Sequence, residues 1–118
     1  MELEEIRAGI DEIDGQLLAL FCRRMDLVRD VAEYKIENNM PVFHPEREEQ
    51  ILERVSEKAG PDYADYAADF FRSLMQVSRS MQQALIRQSE RGSRNEQGGQ
   101  NEQGSRNEQG GQNEQGGQ

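Results

Sequence analysis

Arg24 and Lys35 stand on the hydrophobic stripe of a long helix, and two cations on an inward face are costly unless something anionic meets them. From Leu3 to about Asn38 the apolar positions step by threes and fours: Leu3, Ile6, Ile10, Ile13, Leu17, Leu20, then Leu27 and Val31. The step after Leu20 lands on Arg24, and beyond Val31 the stripe reaches Tyr34 and Lys35. At 3.6 residues per turn the two cations are three turns and about 20° apart, a rise of roughly 16 Å on one face. Side chains of that length lean toward a ligand held between them. A later helix is interrupted in the same way: its stripe through Phe71 and Leu74 lands on Ser78, and four residues on comes Gln82, beside Met81. Arg47 and Glu48 fall in the first turn of a shorter helix. Two cations, a hydroxyl and an amide on inward faces of two helices are the pattern of a pocket for a small anion.

Taken singly, each residue has an ordinary reading. An arginine on a stripe snorkels or pairs across an interface, and a lysine near a helix end meets the dipole. Ser78 is a tolerated small residue, Arg47 and Glu48 are first-turn charges, and His44 before Pro45 is a helix-start residue. Arg7 precedes Arg24 by 17 residues, roughly 25 Å, and faces elsewhere. It cannot share a small ligand with Arg24 of its own chain, but in an antiparallel dimer it reaches the neighbour's site.

The elements that must position these groups are three helices of unequal length, and no segment alternates as a strand would. The first runs to about Asn38 and stops before Met40-Pro41, because a residue preceding proline avoids the helical region. Pro45 suits the first position of the second, with Ile51, Leu52 and Val55 as its apolar face, and Ala59-Gly60-Pro61 ends it. Asp62 can cap the third, which continues to about Ser89 with Tyr66, Phe70, Phe71, Leu74, Met81 and Leu85 expected inward. The first helix is roughly 54 Å long, whereas a globule of 90 residues has a radius of gyration of about 12 Å. Two shorter helices cannot cover that stripe, so the expected fold is all-α, an intertwined helical homodimer.

Residues 1–91 form the expected domain. Residues 92–118 contain no hydrophobic residue and hold eight of the eleven glycines. A twelve-residue unit beginning Ser-Arg-Asn-Glu-Gln-Gly occurs at 93–104 and again at 105–116. Such a low-complexity segment buries too little apolar surface to offset its ordering entropy, and is expected to be disordered. The chain carries a net charge of −9, which argues against nucleic acid and anionic membrane as partners. Nothing resembles a membrane span, and the acidic N-terminus has the wrong charge for a signal peptide. One cysteine, Cys22, excludes an internal disulfide and fits a reducing, cytoplasmic setting as a small buried or half-buried residue. With one histidine and one cysteine there is no metal-spaced cluster.

The run Ile6-Arg7, Ile10-Asp11, Ile13-Asp14, Leu17 to Leu20, Arg23-Arg24, then Val31-Ala32 and Lys35, then Pro41-Val42 and Pro45 to Glu48, then Ser78 and Gln82 to Leu85, resembles the all-helical chorismate mutases of the AroQ type. The resemblance spans about residues 3–88, and four short motifs in order at these spacings are specific together. It implies an intertwined dimer of three-helix chains acting on chorismate. Arg24 and Lys35 match the positions that bind the substrate's carboxylates and ether oxygen, and Arg7 the arginine supplied across the dimer. Arg47 and Glu48 match the second helix's pair, with the glutamate accepting the ring hydroxyl. Ser78 matches a carboxylate contact and Gln82 the amide that donates to the ether oxygen. At His44 some members have aspartate, so the backbone amide is expected to contribute there.

The implied reaction is the pericyclic rearrangement of chorismate to prephenate in phenylalanine and tyrosine biosynthesis. It requires no nucleophile, general base, metal or cofactor. An isochorismate-pyruvate lyase shares the fold and the pericyclic logic. A noncatalytic subunit binding chorismate or prephenate would have no need of the ether-oxygen donors. A purely structural helical dimer would pair its inward charges with one another. With no dehydratase, dehydrogenase or synthase domain attached, a free-standing enzyme is the simplest expectation.

Overall fold

A computed structural model describes residues 1–98, and it is three α-helices joined by two short connections. α1 spans Leu3–Glu37, α2 Pro45–Ala59 and α3 Ala64–Gly98. The expected disordered repeat lies outside the described residues from position 99 onward. α3 runs past the expected end near Ser89 and takes in residues 92–98 of the segment expected to be disordered, since the Arg, Glu and Gln there are sound helix formers and the interior Gly92 costs only about 1 kcal/mol.

The ends follow from local chemistry. Glu4 and Glu5 place negative charge in the first turn of α1, and the Glu5 carboxylate accepts the backbone N–H of Glu2 at 3.1 Å. The other end is closed by Asn39, whose φ of 53° is left-handed. Its N–H reaches the Ile36 carbonyl at 3.4 Å, and the Met40 N–H reaches the Lys35 carbonyl at 2.9 Å. That is a Schellman motif. The stop is therefore made by Asn39 ahead of the proline that the sequence points to. His44 caps α2: its Nδ1 accepts the Arg47 N–H at 3.2 Å, and Pro45 takes the first turn. Gly60, at φ 85°, ends α2 in a conformation that favours glycine. The first turn-closing carbonyl of α3 is Tyr63's, bonded to Ala67 N–H at 2.8 Å, so Asp62 sits one residue outside the cap position.

α3 is the central element, and both other helices pack on it. α1 runs parallel to it, because Arg24 meets Ser78 and, further along both, Lys35 meets Gln82. α2 runs antiparallel, with Glu48 against Arg79 and Leu52 lower down beside Met75. The core is thin: Val28, Ala32, Ile51, Ala68 and Met75 are buried, and among the described residues no large side chain is wholly enclosed.

The molecule measures 63 × 35 × 20 Å with a radius of gyration of 18.6 Å, far beyond the value of about 12 Å for a compact globule of 90 residues. Phe70 and Phe71 share an apolar groove with Leu17 and Leu18, and the α1 stripe before that level is bare. Leu3, Ile6, Ile10 and Ile13 are 58, 42, 51 and 56 % exposed. Three expectations change accordingly. Tyr66 and Phe70 are exposed rather than inward, and Cys22 is an exposed free thiol. The side of α1 that packs on α3 carries Val28 and Ala32, one position beyond the Leu27 and Val31 of the predicted stripe. No second chain is present, so the intertwined dimer is not part of what is observed.

Candidate functional site

Where the three helices converge they leave a cavity of about 240 Å³. Arg24, Leu27, Val31 and Lys35 of α1 form one wall. Met75, Ser78, Arg79 and Gln82 of α3 form the second, and His44 with the first turns of α2 forms the third. Seven of the eight residues singled out in the sequence thus line one space: Arg24, Lys35, His44, Arg47, Glu48, Ser78 and Gln82. Arg7 does not; it lies exposed on the bare arm of α1.

The polar groups orient one another, and hydrogen-bond arithmetic leaves specific donors free. Lys35 Nζ donates to the Val42 carbonyl at 2.8 Å and to Gln82 Oε1 at 3.0 Å. An ammonium has three N–H donors, so one remains for a ligand. Because the Gln82 oxygen faces the lysine, its NH₂ end is turned away, and Gln82 is buried with only 6 % exposed. The cavity is thus lined by a lysine with one N–H to spare and by an amide whose NH₂ the lysine does not use. Arg24 Nη1 donates to Ser78 Oγ at 2.6 Å, and Ser78 Oγ donates to the Leu74 carbonyl at 3.0 Å. The serine proton is thus committed to its own helix and its lone pair to Arg24. Four of the five guanidinium N–H groups are left over.

The cavity is electropositive, and its cations feel that. The Arg24 pKa is lowered first by burial and then by the charge of Arg47. Lys35 is lowered by burial, a shift partly opposed by Glu48. Both groups are held in a state that an incoming anion relieves, because desolvation and like charge disfavour the charged form.

Two features escaped the sequence. Arg79 holds Glu48, its Nη1 lying 2.5 Å from both carboxylate oxygens, and its guanidinium carbon sits 5.2 Å from the centre of the Phe43 ring. The other is the Val42 carbonyl, a backbone atom of the α1–α2 connection that anchors Lys35. Neither leaves a local signal, since 31 positions separate Arg79 from Glu48 and a carbonyl has no residue type. Among the described residues no group of three His, Cys, Asp or Glu is placed to hold a metal ion, and no helix is long and apolar enough to cross a membrane. Chemically, the site offers a forked cation at one end, N–H donors at the other, and one carboxylate at the α2 rim. It suits a small ligand with separated negative groups and one acceptor oxygen.

The family model described as chorismate mutase type II matches residues 6–83. The chain is similar to a chorismate mutase of Methanocaldococcus jannaschii, 32 % identical over 75 % of this chain and 92 % of that protein. It is also similar to a bifunctional chorismate mutase/prephenate dehydratase of Aquifex aeolicus, 41 % identical over 46 % of this chain but only 15 % of that longer protein. A 4-amino-4-deoxychorismate mutase of Streptomyces venezuelae is 37 % identical over 58 % of each. No solved structure matches the chain.

Proposed function

The chain belongs to the chorismate mutase type II family and has chorismate mutase activity, and we propose that the Arg24–Lys35–Gln82 cavity is where chorismate becomes prephenate. The observation that carries this reading is the Lys35–Gln82 pair: the lysine ammonium holds the amide by its oxygen at 3.0 Å and keeps one N–H to spare, in the cavity that also takes the forked cation of Arg24.

The rearrangement is unimolecular and pericyclic, so the protein's part is geometry and electrostatics. Arg24, with Arg47 at the α2 rim, grips carboxylate and holds the compact chair in which the reacting carbons meet, an orientation effect. As the ether bond breaks, negative charge grows on its oxygen. The free N–H of Lys35 and the NH₂ of Gln82 face that charge already oriented, without reorganisation cost at the moment of reaction. Ser78 acts by aiming Arg24, and Glu48 accepts the ring hydroxyl. His44 keeps the first turn of α2 in place so that its backbone lines the cavity.

The working enzyme in this proposal is a homodimer. What supports it is the bare apolar stripe of α1 from Leu3 to Leu17, too exposed to stand in water and long enough to pack on a symmetry mate. An antiparallel mate would bring the partner chain's copy of Arg7 to the open side of the cavity, where it adds a second forked cation for the dianion. A reducing, cytoplasmic setting belongs to the same proposal, in keeping with a free exposed thiol at Cys22.

The test is the loss of chorismate absorbance with purified protein, with the product identified. Conversion to prephenate by the wild type and not by Lys35→Ala is the expected result. Binding of chorismate without turnover overturns the reading in favour of a sensor, and release of pyruvate from isochorismate overturns it in favour of a lyase.

A further inference from the structure

Arg79 is the one charged wall residue that the catalytic reading leaves unused. Its Nη1 bridges both oxygens of Glu48 at 2.5 Å, with the two side chains 28 % and 21 % exposed, and its guanidinium lies 5.2 Å over Phe43. Held from two sides, the group has little freedom. Its charge cancels that of Glu48, the carboxylate that lines the cavity among the cations Arg24, Lys35 and Arg47.

That cancellation has a consequence for recognition. A hydroxyl is satisfied by any fixed acceptor and needs no net charge near it. An ammonium at the same ring position needs an uncompensated anion, and repels a neighbouring guanidinium. We propose that Arg79 is a positioning residue that holds Glu48 as a neutralised acceptor and so sets the site's preference for a ring hydroxyl over a ring ammonium. The inference rests on the reading of Glu48 as the partner of the ring substituent.

The experiment compares kcat/KM for chorismate with that for 4-amino-4-deoxychorismate, in the full-length wild type and in Arg79→Met. Freed of its partner, Glu48 is a buried-side carboxylate that favours the ammonium. The preference for chorismate is expected to fall by about tenfold or more, the scale of one charge-assisted hydrogen bond. Arg79→Lys keeps the charge and is expected to keep most of the preference. In a Glu48→Gln background the Arg79→Met change is expected to move the ratio by a much smaller factor, since only the direct repulsion between guanidinium and ammonium is then relieved. A merely structural role would lower both substrates together and leave the ratio constant, and that result overturns the proposal. So does a ratio that shifts equally with Glu48 absent. If Arg79→Met loses its helical circular dichroism, Arg79→Gln decides: it removes the charge while keeping a polar side chain at the same position, must move the ratio the same way, and an unmoved ratio refutes. A wild type that turns over neither substrate would instead sink the functional reading beneath it.

Discussion

Lys35→Ala removes one ammonium but disturbs two donors. In the proposed mechanism the ammonium supplies one N–H to the developing charge on the ether oxygen, and loss of one such preorganised donor costs about 3–4 kcal/mol, or 10²–10³ in rate. The same ammonium also holds Gln82 by its Oε1 at 3.0 Å. Without it the amide is free to rotate, and the NH₂ that should face the substrate is no longer directed. The combined loss in kcat is therefore expected to reach about 10³-fold or beyond. KM should change far less, because Arg24 keeps its bond to Ser78 and its four other donors. Folding should survive: the only other group deprived is the Val42 carbonyl, in a connection where water can replace a net bond of about 1 kcal/mol. The assay is steady-state loss of chorismate with prephenate identified, beside a thermal melt of each protein. A kcat within tenfold of wild type would refute the reasoning, since no arrangement of the remaining cavity groups replaces an ammonium N–H at that point.

Four further outcomes are expected. Arg24→Lys should lower kcat/KM by about 10²-fold, because an ammonium cannot both reach Ser78 and present a planar fork to a carboxylate; retained activity in initial-rate assays argues against the carboxylate grip. Lys35 acts protonated and its pKa is lowered by burial, so kcat/KM should stay flat through neutral pH and fall as pH rises, earlier than an ordinary lysine would dictate. The kcat limb should lie higher because the bound dianion restores the proton, and a steep acid limb would mean that a carboxyl group does this work. Mixing inactive Arg7→Ala and Lys35→Ala chains under conditions of subunit exchange should recover about a quarter of wild-type activity, since half the dimers then carry one intact site; no recovery overturns the shared site. Gly60→Ala should lower stability by about 1 kcal/mol in thermal melts, because φ of 85° strains any residue with a Cβ, and an unchanged melt contradicts that backbone geometry.

Most of the cavity lining was legible because its residues announce themselves by being polar at inward helical positions. Arg24, Lys35, Ser78 and Gln82 could be read that way, since helical periodicity is local and costs nothing to extrapolate. His44 was legible as a helix start, and it caps α2 through Nδ1. Arg79 was not. Its side chain falls one position past Ser78, where a charge reads as solvent-facing, and only the antiparallel approach of α2 brings Glu48 onto it.

The apolar stripe of α1 teaches the complementary lesson. Its spacing determined that Leu3 to Glu37 would be one helix, and its length determined that the other two could not cover it. Which side of that helix its own chain would use was decided only by packing, because Leu27 and Val28 are 100° apart and both apolar. Val28 and Ala32 met α3, while Leu27 and Val31 were left to wall a cavity. The sequence by itself determined three helices, the start of α2 and the cations on the stripe, all consequences of contacts between near neighbours. Tertiary structure alone decided that α1 runs parallel to α3, that the Gln82 oxygen turns to Lys35, and that Glu48 is held by an arginine 31 residues away. Those depend on which distant surfaces meet, and no local propensity encodes that.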